Sequence, residues 1–407
     1  MLWLNFLHFY QPANIEFHHI REALDKSYWR LVRLLEEHPN LHFTMNVSGC
    51  LLERLDDEHE TAWLERLKLL VKKGQIELTG SAAYHGFLPL LPEVEVLDQI
   101  TTNAKILKKH FGKDFKPVGF FLPEMAYSPA VAKLVYQAGY RWIILDEISY
   151  DGDDRHLEAG RFYADAASGL KVIFRSRKFS NAYPPDKLLP LFKKIEASIV
   201  ATKHDKKKET SEVSVVVTAT DAELYGLRHE DPTGEMERIS KLKSLKTQTI
   251  SSYLSTVERK HILSVKLRPS SWESTLTEIK RNHPYQLWHD KDNKIQLDLW
   301  RLANLALSLK DEFKNDENFY WYRWHLYRGL ASCTFWWASA RDFSKLYGPY
   351  AWSPDDIDRG LGDLIRAVRS LSDIRSKKHK LLAEKYYLRI QERVWQTHWN
   401  KHWQKNV

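Results

Sequence analysis

Short apolar runs alternate with amphipathic stretches over the first two thirds of the chain. The runs are LWLNFLH (2–8), HFTMN (42–46), QIELTG (75–80), PVGFFLPE (117–124), RWIILDE (141–147), KVIFRSR (171–177) and VSVVVTATD (213–221). Near-continuous apolar character over so few residues is the mark of a strand covered on both faces. Between the runs lie stretches such as SYWRLVRLLEEHP, TAWLERLKLLVKKG and AVAKLVYQAGY, whose apolar residues recur at helical spacing. Strands separated by helices predict a parallel sheet. Seven such units point to a (β/α)7 barrel, closed or nearly closed, rather than an open sheet. A Rossmann or flavodoxin order is the alternative, though no glycine-rich phosphate turn follows the first run.

After about residue 270 the strand pattern stops. IQLDLWRLANLALSLKDEF (295–313), YWYRWHLYRGLASCTFWWASA (320–340), DIDRGLGDLIRAVRSLSDI (356–374) and KKHKLLAEKYYLRIQERVWQTHW (377–399) read as long helices. The expected organisation is therefore a distorted TIM-like α/β barrel over 1–270. An α-helical bundle over 271–407 is expected to follow, packed on the barrel and contributing to whatever cleft the barrel opens.

Polar residues fall at the ends of the runs: His8, Asn46, Glu124, Asp146 with Glu147, Arg175 and Asp221, while Glu77 lies within the third. In an α/β barrel these ends share one mouth, where active sites are built. Asp221 and Glu223 are two apart, and in an extended chain they would point the same way. Buried carboxylates are costly unless paired, neutral or used. The plain alternative for that pair is a solvated loop or a helix cap. Two carboxylates from different strands, such as Glu124 and Asp221, suit acid/base and nucleophilic work on a glycosidic bond, for which a retaining enzyme needs a separation of about 5–5.5 Å.

Composition narrows the class. A chain of 407 residues, 43% hydrophobic and 28% charged, is globular and too long for one small core. Its 15 Trp, with 19 Tyr and 17 Phe, are unusual; aromatic surplus fills cores by default and also makes platforms for sugar rings. The net charge of +8 hints at an acidic partner, but the basic residues are scattered among acids. KHDKKKET (203–210) and RSKKHK (375–380) read as a solvated loop and a helix surface, so nucleic acid is not the expected partner. Cys50 and Cys333 offer neither a disulfide framework nor a metal cluster. The N-terminus lacks a basic leader, and no apolar run reaches membrane-spanning length; a soluble, cytoplasmic protein is expected. His398 and His402 share helical spacing, as do Trp395, Trp399 and Trp403, but a zinc site needs a third ligand, so a packing stripe is expected.

Five stretches in order carry a resemblance. HFYQP (8–12), GQIELTGSAAYHGFLPLLP (74–92), GFFLPEMAYSP (119–129), TDAELYG (220–226) and SCTFWWASA (332–340) are similar to the five motifs of the family 57 glycoside hydrolases, enzymes acting mostly on α-glucans. FTMNVSGCLLERL and RPSSWES look like family sequence as well. The resemblance implies a seven-stranded barrel followed by a helical bundle, double displacement with retention, and no metal or cofactor. It implies Glu124 as nucleophile and Asp221 as acid/base, with the Asp221 pKa raised by neighbouring carboxylates. His8, Gln11, Glu77, His85 and Glu223 are expected to bind substrate, and Trp272, Trp336 and Trp337 to stack sugar rings, with only one of the last two facing the site. The substrate implied is an α-glucan or maltooligosaccharide, cleaved by water or transferred to another sugar. Two departures stand out: Phe120 and Phe121 replace a frequent Trp, and Cys333 and Thr334 stand where the fifth motif often has Asp. Other readings are another carbohydrate-active barrel (an α-galactosidase, deacetylase or mannosidase type) and a non-catalytic glycan-binding relative.

Overall fold

The computed structural model describes residues 1–150, 157, 162–182, 185–204, 215–228, 231, 234–256, 261–339 and 351–405. Residues 205–211 of the basic stretch, and the start of the seventh predicted strand, lie outside them. The chain forms two compact units. The first comprises Met1–Gln11, Glu16–Ala83 and Leu88–Trp272; the second comprises Pro12–Ile15, Tyr84–Phe87 and Glu273–Val407. The second unit thus also takes two short segments from early in the chain.

Among the described residues the first unit holds ten strands: β1 (Leu2–Phe9), β2 (Phe43–Val47), β3 (Ile76–Leu78), β4 (Gly119–Phe120), β5 (Trp142–Asp146), β6 (Phe162–Asp165), β7 (Lys171–Arg175), β8 (Val215–Asp221), β9 (Lys246–Thr247) and β10 (Ile262–Val265). They form two sheets, ordered β3-β2-β1-β8 with β9 also on β1, and β10-β6-β7-β5-β4. All pairings are parallel except β6 with β7. A parallel bridge between Gly80 and Phe120 links the sheets at one side. At the other, the Ser176 N–H donates to the Val217 carbonyl at 3.0 Å. Every residue of β1, β2 and β5 is buried, as their unbroken apolar sequences require. The arrangement is consistent with a (β/α)7 barrel.

The sequence pattern overstated one strand and missed three. PVGFFLPE yields only Gly119–Phe120, because Pro123 opens a tight 3-10 turn (Pro123–Met125). β6 is only half-buried and alternates, and β10 is more exposed still; neither shows a continuous apolar run. β9 has two residues.

The apolar interior of this unit is built by Phe6, Trp142, Ile144, Ile173 and Ala219 from the strands, Phe121 and Met125 from the segment that follows β4, and Ile250 and Leu254 from the helix Ile250–Ser255. Phe6 and Ala219 are opposite one another on β1 and β8, and two residues later the same strands present His8 and Asp221. The polar layer therefore rests on a greasy floor.

The second unit is helical, with Lys294–Glu312, Phe319–Gly329, Ser332–Trp336, Pro354–Ser370 and Lys377–Lys405. Asn293 caps the first of these by accepting from the Ile295 and Gln296 N–H groups. The predicted long helix over 320–340 breaks after Gly329. A side chain at Gly329 would strike Leu364, so glycine lets two helices approach closely. Trp395 stacks on Trp399, and Trp352 donates to His398; the side chains of His402 and Trp403 lie outside the described residues. No helix among the described residues is long and apolar enough to cross a membrane.

Candidate active site

His8 sits at the end of β1, opposite Asn46 on β2 and Asp221 on β8. Its Nδ1 lies 2.9 Å from Asn46 Oδ1, so Nδ1 carries the hydrogen and Nε2 is the acceptor side of the ring. The ring packs 4.5 Å from Phe121, is stacked on Tyr10 at 5.7 Å, and meets the edge of Trp272 at 6.5 Å. Burial pushes the His8 pKa down to about 4, outweighing the Asp221 charge and the Asn46 bond. His8 is neutral at neutral pH and serves as a hydrogen-bonding group, not a cation.

Glu124 is presented by a strained turn. It has φ 60° and Met125 has φ 48°, two consecutive non-glycine residues in the left-handed region, each costing about 1–3 kcal/mol. Trp272 clamps this turn: its N–H donates to the Glu124 carbonyl at 3.1 Å, and its indole Nε1 donates to Glu124 Oε2 at 2.9 Å. Trp272 is in turn held by two arginines. Its carbonyl accepts from Arg177 at 2.9 Å and Arg175 at 3.4 Å, and the Arg175 guanidinium lies 5.3 Å from its ring. Both arginines converge on fully buried Asp146, at 2.8 and 2.6 Å. Asp146 is thereby committed to structure, and Glu147 Oε1 accepts the Arg177 backbone N–H.

The other acids lie at the end of β8. The strand stops at Asp221, and Ala222–Leu224 form a 3-10 turn. Asp221 and Glu223 are therefore not related by strand geometry, as the spacing suggested; the turn sends them to different surroundings. Asp221 keeps 24% side-chain exposure, with the Arg228 guanidinium at 3.7 Å. Glu223 is 2% exposed. Its Oε1 accepts from Gln11 at 3.0 Å and from the Tyr28 hydroxyl. Burial, reinforced by the Asp221 charge, pushes the Glu223 pKa up to about 7. Conversely, Tyr28 is driven well above the ordinary phenol value by burial and then by Glu223. Tyr28 closes a π-helical stretch, Leu24–Tyr28, a distortion common at functional sites. That stretch is docked on the turn: Ser27 Oγ donates to the Ala222 carbonyl at 2.7 Å. Gly226, at φ 106°, lies so near the Lys26 carbonyl that any side chain would collide.

A family model described as glycosyl hydrolase family 57 matches residues 3–266. The chain belongs to this family. Among curated proteins it is 31% identical over 144 residues to an α-amylase of Pyrococcus abyssi, covering 35% of this chain and 21% of that protein. It is 29% identical over 144 residues to a 4-α-glucanotransferase of Thermococcus litoralis, with the same shares. The chain spans about a fifth of the length of these curated relatives. Among solved structures it resembles the T. litoralis 4-α-glucanotransferase, with TM-score 0.69, 19% identity, and coverage of 91% of this chain and 59% of that one. It also resembles a family 57 branching enzyme from Thermococcus kodakaraensis, with TM-score 0.70, 17% identity, and coverage of 96% and 95%. At such identities the structural likeness speaks for the fold.

In this family 57 chain, His8, Gln11, Glu124, Asp221, Glu223 and Trp272 form one connected group in the first unit. Glu77 is set apart. It pairs with Thr44, which pairs with Phe6, two residues before His8. Its carboxylate is taken up by the Ser251 hydroxyl, the Ser251 N–H at 3.0 Å and Thr44 Oγ1 at 3.1 Å, which caps the helix Ile250–Ser255. Burial nonetheless raises its pKa. His85 belongs to the helical unit: its Nδ1 lies 2.9 Å from Ser332 Oγ and its carbonyl accepts the Ser332 N–H at 2.9 Å. Its positive φ of 56° is stabilised by this clasp. Trp336 and Trp337 are both half-buried at the end of the helix Ser332–Trp336, while Phe335 goes inward and stacks on Trp300 at 3.9 Å. Tyr28, Arg177 and Arg228 were not singled out from the sequence. Tyr28 reads there as one more residue of an amphipathic helix, and nothing in the pattern marks it as facing a carboxyl group.

Proposed function

We propose that this chain is a retaining glycoside hydrolase or transglycosylase acting on α-1,4-glucans through a glycosyl-enzyme on Glu124. The observation that carries this reading is the joining of Glu124 to the β8 acids through Trp272 and His8. The family and the names of its relatives, α-amylase and 4-α-glucanotransferase, support the substrate class. In the first step a Glu124 oxygen attacks the anomeric carbon and the bond to the leaving sugar breaks. Asp221 gives its proton to the departing oxygen. In the second step water or a sugar hydroxyl returns a proton to Asp221 and attacks the anomeric carbon, and the ester to Glu124 breaks.

Glu223 stands beside the acid/base as a neutral neighbour: burial, reinforced by the Asp221 charge, lets it keep its own proton up to about pH 7. Glu223 is sealed by Gln11 and Tyr28, whereas Asp221 is the more exposed member and meets the sugar. His8 orients a sugar hydroxyl through Nε2, and Trp272 both aims Glu124 and offers an aromatic wall.

Incubation with maltoheptaose, followed by chromatography, tests this. Shorter sugars alone mean hydrolysis, and longer sugars as well mean transfer. Either pattern, lost in Glu124→Ala, supports the reading; an unchanged sugar with the wild-type chain overturns the α-1,4-glucan claim.

A further inference from the structure

The helical unit contains a cavity of about 390 Å³ between the helices Phe319–Gly329 and Pro354–Ser370. Three guanidiniums line it, those of Arg328, Arg359 and Arg366, together with His325, Trp324 and Asn14. Among the described residues its one lining carboxylate is Asp363, which is buried and engaged on both oxygens. Oδ1 lies 2.8 Å from His325 Nδ1, and Oδ2 accepts from Asn14 at 3.1 Å and lies 3.7 Å from Arg328 Nε. Asp363 thus fixes the wall and balances one arginine. Arg359 pairs with Asp356 at the rim. Among the described residues no carboxylate pairs with Arg366, which is exposed at the cavity. The lining therefore carries a surplus of positive charge in fork-shaped donors, the arrangement that suits phosphate.

A second feature adjoins it on the same helix. Trp321 is 52% exposed and Tyr320 66% exposed. The Trp321 ring meets Trp324 at 5.9 Å, and Trp324 is backed by Arg328 at 4.1 Å. Open aromatic faces next to an anion pocket suit a ligand with an apolar ring face attached to a phosphate.

We infer that this cavity binds a phosphorylated sugar, with the phosphate on Arg359 and Arg366 and the sugar against Trp321 and Trp324. This does not depend on the chemistry proposed for Glu124. The test is calorimetric titration of the full chain with three probes: inorganic phosphate, glucose 1-phosphate and maltose. Glucose 1-phosphate is expected to bind more tightly than inorganic phosphate. Arg366→Ala and Arg359→Ala should each weaken both phosphate probes by about tenfold or more. Trp321→Ala should weaken glucose 1-phosphate and spare inorganic phosphate. Because Arg366 and Trp321 are exposed, both variants should melt as the wild type does, and both should still turn over maltoheptaose. Absence of binding by either phosphate overturns the inference. So does binding that survives both arginine substitutions. Equal binding of phosphate and glucose 1-phosphate would remove the sugar from the assignment, and tighter binding of maltose would replace it with a neutral glucan.

Discussion

Two buried carboxylates in this molecule have opposite surroundings. Asp298, in the helical unit, is fully buried and surrounded by Arg301 at 2.7 Å, Arg389 at 2.7 Å and Arg393. Glu223, at the end of β8, is almost as buried, but its nearest donors are a neutral amide and a phenol, and another acid stands beside it. The first site cancels charge and holds helices together. At the second, the Arg228 charge and the Tyr28 hydrogen bond are outweighed by burial and by Asp221, and the carboxyl group keeps its proton. Burial is shared; what separates structure from chemistry is whether the neighbours neutralise the charge. Asp146 belongs with Asp298 in this respect, since Arg175 and Arg177 satisfy it.

The largest effect lies at neither acid but at the group they serve. Glu124→Gln should lower turnover by roughly 10⁴-fold or more while leaving the melting temperature nearly unchanged. Initial rates on maltoheptaose beside a thermal melt would check both. Asp298→Asn should do the reverse: it weakens the charged hydrogen bonds to three partly exposed arginines and should cost about 1.5–3 kcal/mol of stability, read by denaturant unfolding, with turnover of the folded protein preserved. If Asp298→Asn changed the pH profile of turnover, the contrast would collapse.

Glu223→Gln should fall between. Turnover should drop by about 10- to 100-fold, the weight of a general acid/base contribution, and the alkaline limb near pH 7 should vanish. The stability sign follows from linkage. Glu223 binds its proton more tightly when folded, so that contribution is full below its ordinary value of 4.5 and is lost as pH rises through about 7. Wild-type stability should therefore decline across that window, and the glutamine variant should not show the decline, leaving it more stable at pH 8 by about 1–3 kcal/mol. His8 works the other way: its depressed pKa gives stability above 6.5 that is lost as pH falls through about 4. Unfolding midpoints over pH 4–8 would separate the two.

Tyr28→Phe should have the smallest effect. It removes one hydrogen bond that holds down the Glu223 pKa, at a cost of about 1 kcal/mol. The alkaline limb should move to higher pH. A downward move would mean that Tyr28 acts on Glu223 in some other way.

Much of the first unit was legible in the sequence because parallel strands impose a simple rule. Their apolar runs end at one mouth, so His8, Asn46, Asp146, Arg175 and Asp221 could be placed from pattern alone. Glu223 was picked out by its spacing to Asp221, yet for the wrong geometric reason, since the strand ends before it. The supporting residues were not legible. Tyr28 reaches Glu223 only because a π-helical stretch docks on the β8 turn, and that docking is tertiary. Glu77 is a further case: nothing in the pattern pairs it with Ser251, far along the chain, which hydrogen-bonds its carboxylate. The cavity lined by Arg359 and Arg366 was equally hidden, because its residues look like the charged face of a helix.

The most direct test of the central claim is to trap the glycosyl-enzyme. The chain would be incubated with 5-fluoro-α-D-glucosyl fluoride, digested, and its peptides analysed by mass spectrometry. One added fluoroglucosyl group on the peptide carrying Glu124, absent in Glu124→Gln, is the predicted result. No adduct, or an adduct on Asp221, Glu223 or Asp146 instead, would contradict it.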